Sequence, residues 1–173
     1  MTKKQKPRSY YRPEPAARMQ AITNATALDD LACHCLDAYE HREFSSCQEL
    51  GESFLKKSIG AETLGTEVEL RTIRTAEIHN AMGMSAYQTG QFALAEDYVK
   101  RAIAGLGDKS EFYVNLATVR RRVGNKEGER KAISDGLVHC ADKRDLEKLA
   151  SEFIGAERIS LCMIVKDEEE MLH

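Results

Sequence analysis

Apolar and small side chains recur at helical spacing through the middle of the chain and predict pairs of antiparallel helices. In residues 76–109 the pattern is broken once, at Gly90-Gln91, and residues 110–143 repeat it with a break at Gly124-Asn125. Apolar positions three and four residues apart form one face of a helix, and glycine commonly ends a helix. Each 34-residue unit is therefore predicted to be a helix, a turn and a second helix.

Small residues recur at the positions where the two helices of a unit are expected to touch. Gly83 and Ala95 allow close approach of the two backbones in residues 76–109, and Ala117 stands in the place of Gly83 in the next unit. The place of Ala95 is taken there by Glu129. We expect the second helix of that unit to pack less tightly or to bend away.

A weaker copy of the pattern covers residues 28–61. It places Cys35 and Cys47, two small apolar side chains, at the close-contact positions. Residues 62–75 are extra and lead into an early start of the next helix. After the last unit, residues 144–155 predict a helix that covers the open end of the stack, as helical arrays require.

The positions of Met82-Gly83, Gly90-Gln91-Phe92 and Ala95 resemble those of a tetratricopeptide repeat, although Ala86 stands where that family has tyrosine. The resemblance implies an all-α fold: a helical hairpin solenoid of about three repeats plus a capping helix, over residues 21–156. It also implies that the first helix of each repeat lines a concave groove that binds a protein or peptide. The groove positions are Glu77, Asn80, Met84, Tyr87, Gln88, Glu111, Val114, Thr118, Arg121 and Arg122, with Arg121 and Arg122 expected to clamp a carboxylate.

Residues 159–165 form a continuous apolar run with β-branched members, which predicts one buried strand. With the charged residues that follow, Ile-Ser-Leu-Cys-Met-Ile-Val-Lys-Asp-Glu-Glu resembles the start of a family 2 glycosyltransferase domain. Residues 157–173 are thus expected to begin such a domain, truncated before its metal-binding aspartates and catalytic base. The resemblance implies that a nucleotide-sugar lies beside Val165, Lys166, Asp167 and Glu168.

Together these resemblances imply the N-terminal, acceptor-recruiting part of a family 2 glycosyltransferase, which is not catalytic as written. A divalent metal and a nucleotide-sugar are implied only for a complete transferase, and no cofactor is expected in this chain. The alternative is a free-standing repeat adaptor for protein–protein interaction with no enzymatic role.

Charge and composition narrow the class of protein further. The net charge of the chain is −3. Basic residues are concentrated near the amino terminus, and residues 1–20 are expected to form a disordered basic tail. No apolar stretch is long enough to span a bilayer and no secretion signal opens the chain, so a cytoplasmic protein is expected. Nucleic acid is not expected as a partner because the side chains of the consecutive arginines 120–122 point in different directions around a helix and do not form one basic face.

The five cysteines do not predict a metal site. Cys33 and Cys35 point about 200° apart on a helix, and no C-x-x-C pair is present. No pairing of a nucleophile with a base emerges either, and His79 occupies a position expected to pack. The sequence therefore predicts no catalytic residue and no metal ligand.

Overall fold

The structure, a computed structural model, describes the backbone of residues 15–59 and 66–154 and the side chains of 27–59 and 68–154. These residues form helices joined by short turns, without a strand among them, and the prediction of an all-α fold is confirmed for this part of the chain. The helices are α1 (Pro15–Glu40), α2 (Phe44–Ser58), α3 (Thr66–Gln88), α4 (Phe92–Gly105), α5 (Ser110–Arg122), α6 (Lys126–His139) and α7 (residues 144–154).

Three helical hairpins, α1–α2, α3–α4 and α5–α6, are closed by the same turn. In the second hairpin the Gln91 N–H donates to the Ala86 carbonyl at 2.8 Å and the Gly90 N–H donates to the Tyr87 carbonyl at 3.1 Å. This is the Schellman arrangement, in which the residue after the helix adopts a left-handed conformation. The turns at 42–43 and 124–125 have the same two hydrogen bonds. The hairpins are therefore repeats in their backbone as well as in their sequence pattern.

The spacing of the turns locates the extra residues predicted between the first two hairpins. The left-handed residues are Arg42, Gly90 and Gly124, so the first interval is 48 residues and the second is 34. Part of the difference is an amino-terminal extension of α3, which begins at Thr66 rather than near Ala76. At the other end of the array, α1 begins at Pro15, inside the segment 1–20 that the sequence assigned to a tail.

Arg42 is expected to weaken the first hairpin because a side chain disfavours its φ of 62°. We predict that Arg42→Gly raises the free energy of unfolding by about 0.5–1 kcal/mol. The reciprocal change, Gly124→Arg, removes glycine from a φ of 75° and should lower it by about 1 kcal/mol or more. Urea denaturation followed by circular dichroism measures the free energy of unfolding of both variants. A change in the same direction for the two variants would contradict this explanation of the turns.

The two helices of the second hairpin touch at Gly83. A methyl group on this residue would lie 2.7 Å from Val99 Cγ2 and 3.2 Å from the carbonyl oxygen of Ala95. In the first hairpin, Cys35 and Cys47 occupy this place and are both fully buried. The small side chains thus lie between the helices, where the sequence pattern put them.

The expectation of loose packing at Glu129 is wrong. Glu129 is only 3% exposed, and Ala132, Ile133 and Gly136 on the same helix are buried as well. The Glu129 carboxylate accepts a hydrogen bond from Arg121 Nε at 2.7 Å. The ion pair compensates the charge, so α6 packs on α5 despite the larger side chain.

Helix α7 packs on the last hairpin. Leu146 is fully buried beside Tyr113 and Cys140, and Leu149 and Ala150 contact the core between α4, α5 and α6. The predicted strand 159–165, with Val165, Lys166, Asp167 and Glu168, lies outside the described residues. Within the described part, no helix has the length and apolar character needed to cross a membrane.

Candidate protein-binding face

Polar side chains join the neighbouring faces of α3 and α5, and α1 also contacts α3. Asn80 of α3 is the central one and is only 6% exposed. Its Nδ2 donates to Glu111 Oε1 at 3.2 Å, and its Oδ1 accepts a hydrogen bond from Asn115 Nδ2 at 2.9 Å. A buried amide is stable in a helix when both of its ends are bonded. Asn80 therefore fixes the relative position of α3 and α5 on this face.

Tyr39 lies on the last turn of α1, and its half-buried side chain packs against the core cluster that includes Ile78 and Met82 of α3. Burial raises the pKa of its phenol, with a smaller contribution from the carboxylate of Glu111. Asn80, Glu111 and Asn115 are joined by hydrogen bonds across α3 and α5, and we call these three side chains together with Tyr39 the polar diagonal.

The local sequence explains why Glu111 is held in this position. It lies in the first turn of α5, where a negative charge is favoured by the helix dipole. Asn115 is one turn further along and so shares its face. Glu111 itself is exposed. The polar diagonal therefore combines the buried amide of Asn80 and the half-buried amide of Asn115 with a carboxylate that solvent or a ligand can reach.

Two more predicted groove residues lie beside the polar diagonal on α3. Glu77 is one turn before Asn80 and pairs with Arg74, whose Nη1 is 3.4 Å from Glu77 Oε2. Met84 is one turn after Asn80 and is 8% exposed. The carboxylates of Glu77, in the middle of α3, and of Glu111, in the first turn of α5, place negative charge on this face.

A second group of side chains lies at the carboxyl-terminal ends of α3 and α5, next to the turns that follow them. Tyr87 and Phe92 make an edge-on aromatic contact with ring centroids 5.8 Å apart, and the guanidinium of Arg122 lies 5.9 Å from the Phe92 ring centroid. Gln88 is exposed beside them. Tyr87, Phe92 and Arg122 form an aromatic and basic cluster, which we call the turn cluster.

The other predicted groove residues of α5 do not belong to the polar diagonal. Arg121 is bound to Glu129 on α6, whereas Arg122 lies over Phe92 at the start of α4, so the two arginines contact different helices. Val114 packs with the cluster of Tyr113, Cys140 and Leu146. The Thr118 hydroxyl donates to the Val114 carbonyl of its own helix at 2.8 Å. The geometry does not favour the paired arginine clamp expected from the sequence.

Sequence reasoning missed Tyr39, Asn115 and Phe92 as members of this face. Tyr39 stands 48 residues before Tyr87, at the same distance from its turn, and this equivalence could have identified it. Asn115 could have been found because it lies one turn after Glu111. The sequence predicts Phe92 as a turn and packing residue, and its contact with Arg122 has no signal in the sequence.

Other polar groups in the structure have packing roles. His79 stacks on Tyr98 with ring centroids 6.1 Å apart, and burial lowers the pKa of His79, followed by an effect of Arg101. The structure also has two clefts, of about 450 and 420 Å³, and neither is lined by a residue of the polar diagonal. Among the side chains that the structure describes, no cluster of three or more metal-ligating residues occurs.

Comparison with known proteins leaves the family open. No protein-family model matches the chain, and no curated protein matches it. The polar diagonal and the turn cluster therefore carry the functional argument, together with the two resemblances of the sequence.

Proposed function

We propose that the hairpins form a protein-binding domain that holds an extended peptide segment against the polar diagonal. The observation that carries this proposal is the hydrogen-bonded set of Asn80 from α3 with Glu111 and Asn115 from α5. Fixed amide, phenol and carboxylate groups offer both donors and acceptors, as a peptide backbone requires. Because the groups are held by packing and by one another, little conformational entropy is lost on binding.

The charges of the face favour a segment with a basic side chain or an amino group at one end. Glu111 lies in the first turn of α5 and Glu77 in the middle of α3, whereas Arg122 lies at the carboxyl-terminal end of α5. A segment that places its cation beside Glu111 gains a charge-assisted hydrogen bond. A carboxylate further along the segment is suited to the turn cluster.

We further propose that this domain recruits the acceptor of a family 2 glycosyltransferase. The support is the resemblance of residues 159–172 to the start of such a domain, combined with the position of the hairpins before it. In that arrangement a nucleotide-sugar would be held by residues including Lys166, Asp167 and Glu168, and a divalent metal belongs to the complete transferase. A free-standing adaptor would use the same face but would not bind a nucleotide-sugar.

The binding role can be tested with peptides selected from a random displayed library on the immobilised chain. We expect Glu111→Gln to weaken the affinity of the selected peptides at least tenfold, since it removes the charge from the polar diagonal. The matched control is Glu127→Gln, which changes an exposed glutamate in the first turn of α6. We expect the control to stay within twofold of the unmodified chain. Equal weakening by both variants, or by neither, would contradict the proposed face.

A further inference from the structure

Two cysteine side chains meet in the interior of the first hairpin. Cys35 of α1 and Cys47 of α2 are both fully buried, and their sulfur atoms are 3.8 Å apart. The Cys35 thiol also donates to the Cys47 carbonyl oxygen at 3.2 Å. Their place is that of Gly83 and Ala95 in the second hairpin, where the helix backbones are in contact. The two sulfurs are therefore close because the hairpin packs there and not through a chance surface contact.

The two thiols have different surroundings, and those of Cys47 favour the thiolate form that acts as a nucleophile. Cys47 lies in the first full turn of α2, and the amino-terminal end of a helix stabilises a thiolate. The hydrogen bond with Cys35 lowers the pKa of Cys47 to about 7, against the opposing effect of burial. The same hydrogen bond, together with burial, raises the pKa of Cys35.

We propose that Cys35 and Cys47 are a reversible oxidation site, at which a peroxide converts the two thiols into an intramolecular disulfide that joins α1 to α2. The sulfur separation has to shorten to about 2.05 Å. The proposal requires that rotation of the two side chains about their Cα–Cβ bonds brings the sulfurs together. This inference does not depend on the proposed binding role.

The chemistry needs only hydrogen peroxide as the oxidant. The Cys47 thiolate attacks one peroxide oxygen, the O–O bond breaks, and the released hydroxide takes up a proton to form water. Cys47 is then a sulfenic acid. The Cys35 sulfur attacks the Cys47 sulfur, its thiol proton passes to the departing hydroxyl group, and a second water leaves. Two thiols are oxidised, one peroxide is reduced to two waters, and a dithiol reductant reverses the product.

Local opening of the hairpin is the step that admits the peroxide. Proteins open locally at free energies below that of global unfolding. The first hairpin has a feature that favours such opening, because its turn is closed by Arg42 in a left-handed conformation. A small oxidant can therefore reach Cys47 while the rest of the array stays folded.

The test treats the full chain, in native buffer, with hydrogen peroxide and maps the products by peptide mass spectrometry. We expect a Cys35–Cys47 cross-link, recognised by loss of two hydrogen atoms, to form at least tenfold faster than oxidation of the buried Cys140. The control variants are Cys35→Ala and Cys47→Ala. Alanine occupies the same places at Ala117 and Ala95 in the other hairpins, so both variants are expected to fold.

The two variants distinguish Cys47, which the peroxide oxidises, from Cys35, which then attacks it. Cys35→Ala should accumulate a sulfenic acid on Cys47 that dimedone traps, whereas Cys47→Ala should leave Cys35 reduced. The proposal is overturned if the cross-link appears only in urea, or if peroxide modifies Cys33 and Cys140 while Cys35 and Cys47 stay reduced. It is equally overturned if the mapped disulfide joins Cys47 to Cys33.

Discussion

Replacing Gly83 with valine is expected to lower the free energy of unfolding by about 3 kcal/mol, at the upper end of the usual range for overpacked cores. A single methyl group there would already lie 2.7 Å from Val99 Cγ2. The backbone of Ala95 is also close, with its carbonyl oxygen 3.2 Å from that methyl position. A valine therefore has to push α3 and α4 apart, which disrupts the core of the central hairpin.

A second helical glycine provides the matched control. A methyl group on Gly105, at the end of α4, would meet only the Cβ of Ala76 at 3.5 Å, which is an ordinary contact. We expect Gly105→Val to change the free energy of unfolding by no more than about 0.5 kcal/mol, as for other exposed sites. Urea denaturation followed by circular dichroism compares the two variants. Because valine has a higher helix propensity than glycine, propensity favours both variants, and similar losses at the two positions would contradict close packing as the specific cause at Gly83.

Removing Arg121 is expected to produce the second large effect. The side chain of Glu129 is only 4% exposed, whereas that of Arg121 is 48% exposed, so the pair is half in solvent. Loss of one partner from a fully buried pair costs about 3–5 kcal/mol. Because Arg121 is partly solvated, we expect Arg121→Ala to lower the free energy of unfolding by about 2 kcal/mol, measured by urea denaturation.

Two controls distinguish the stranded carboxylate from general damage to α5. The double variant Arg121→Ala/Glu129→Ala places alanine where the second hairpin has Ala95, and it should recover most of the lost stability. Arg101→Ala breaks an ion pair with Asp97 in which both side chains are more than half exposed, and it should cost at most about 0.5 kcal/mol. If the double variant is no more stable than Arg121→Ala alone, the ion pair does not explain the burial of Glu129.

The helices and their turns could be predicted because the signals are local. Glycine at positions 90 and 124 gives the left-handed residue that the turn requires, and small residues mark the contacts between helices. Arg42 carries no such signal, so the first turn was found only by comparison with the others. The compensation of Glu129 by Arg121 was also missed, because it depends on the relative position of two helices.

The candidate site was less predictable than the fold for the same reason. Helical spacing selects the residues that share one face of one helix, and Glu77 and Asn80 follow from it. It does not say which side chains of α5 meet Asn80, and so Asn115 was not predicted. Helical spacing also does not predict that Arg121 contacts α6 whereas its neighbour Arg122 contacts α4.

The most direct test of the proposed binding role is to follow side-chain amide signals by nuclear magnetic resonance while a library-selected peptide is added. Asn80 and Asn115 bond each other within the polar diagonal, whereas Asn125 caps α6 by accepting from the Gly128 N–H at 2.8 Å. Our account predicts that the NH₂ signals of Asn80 and Asn115 shift in proportion to bound peptide and that those of Asn125 stay in place. Binding that shifts Asn125 and leaves Asn80 and Asn115 unchanged would contradict it.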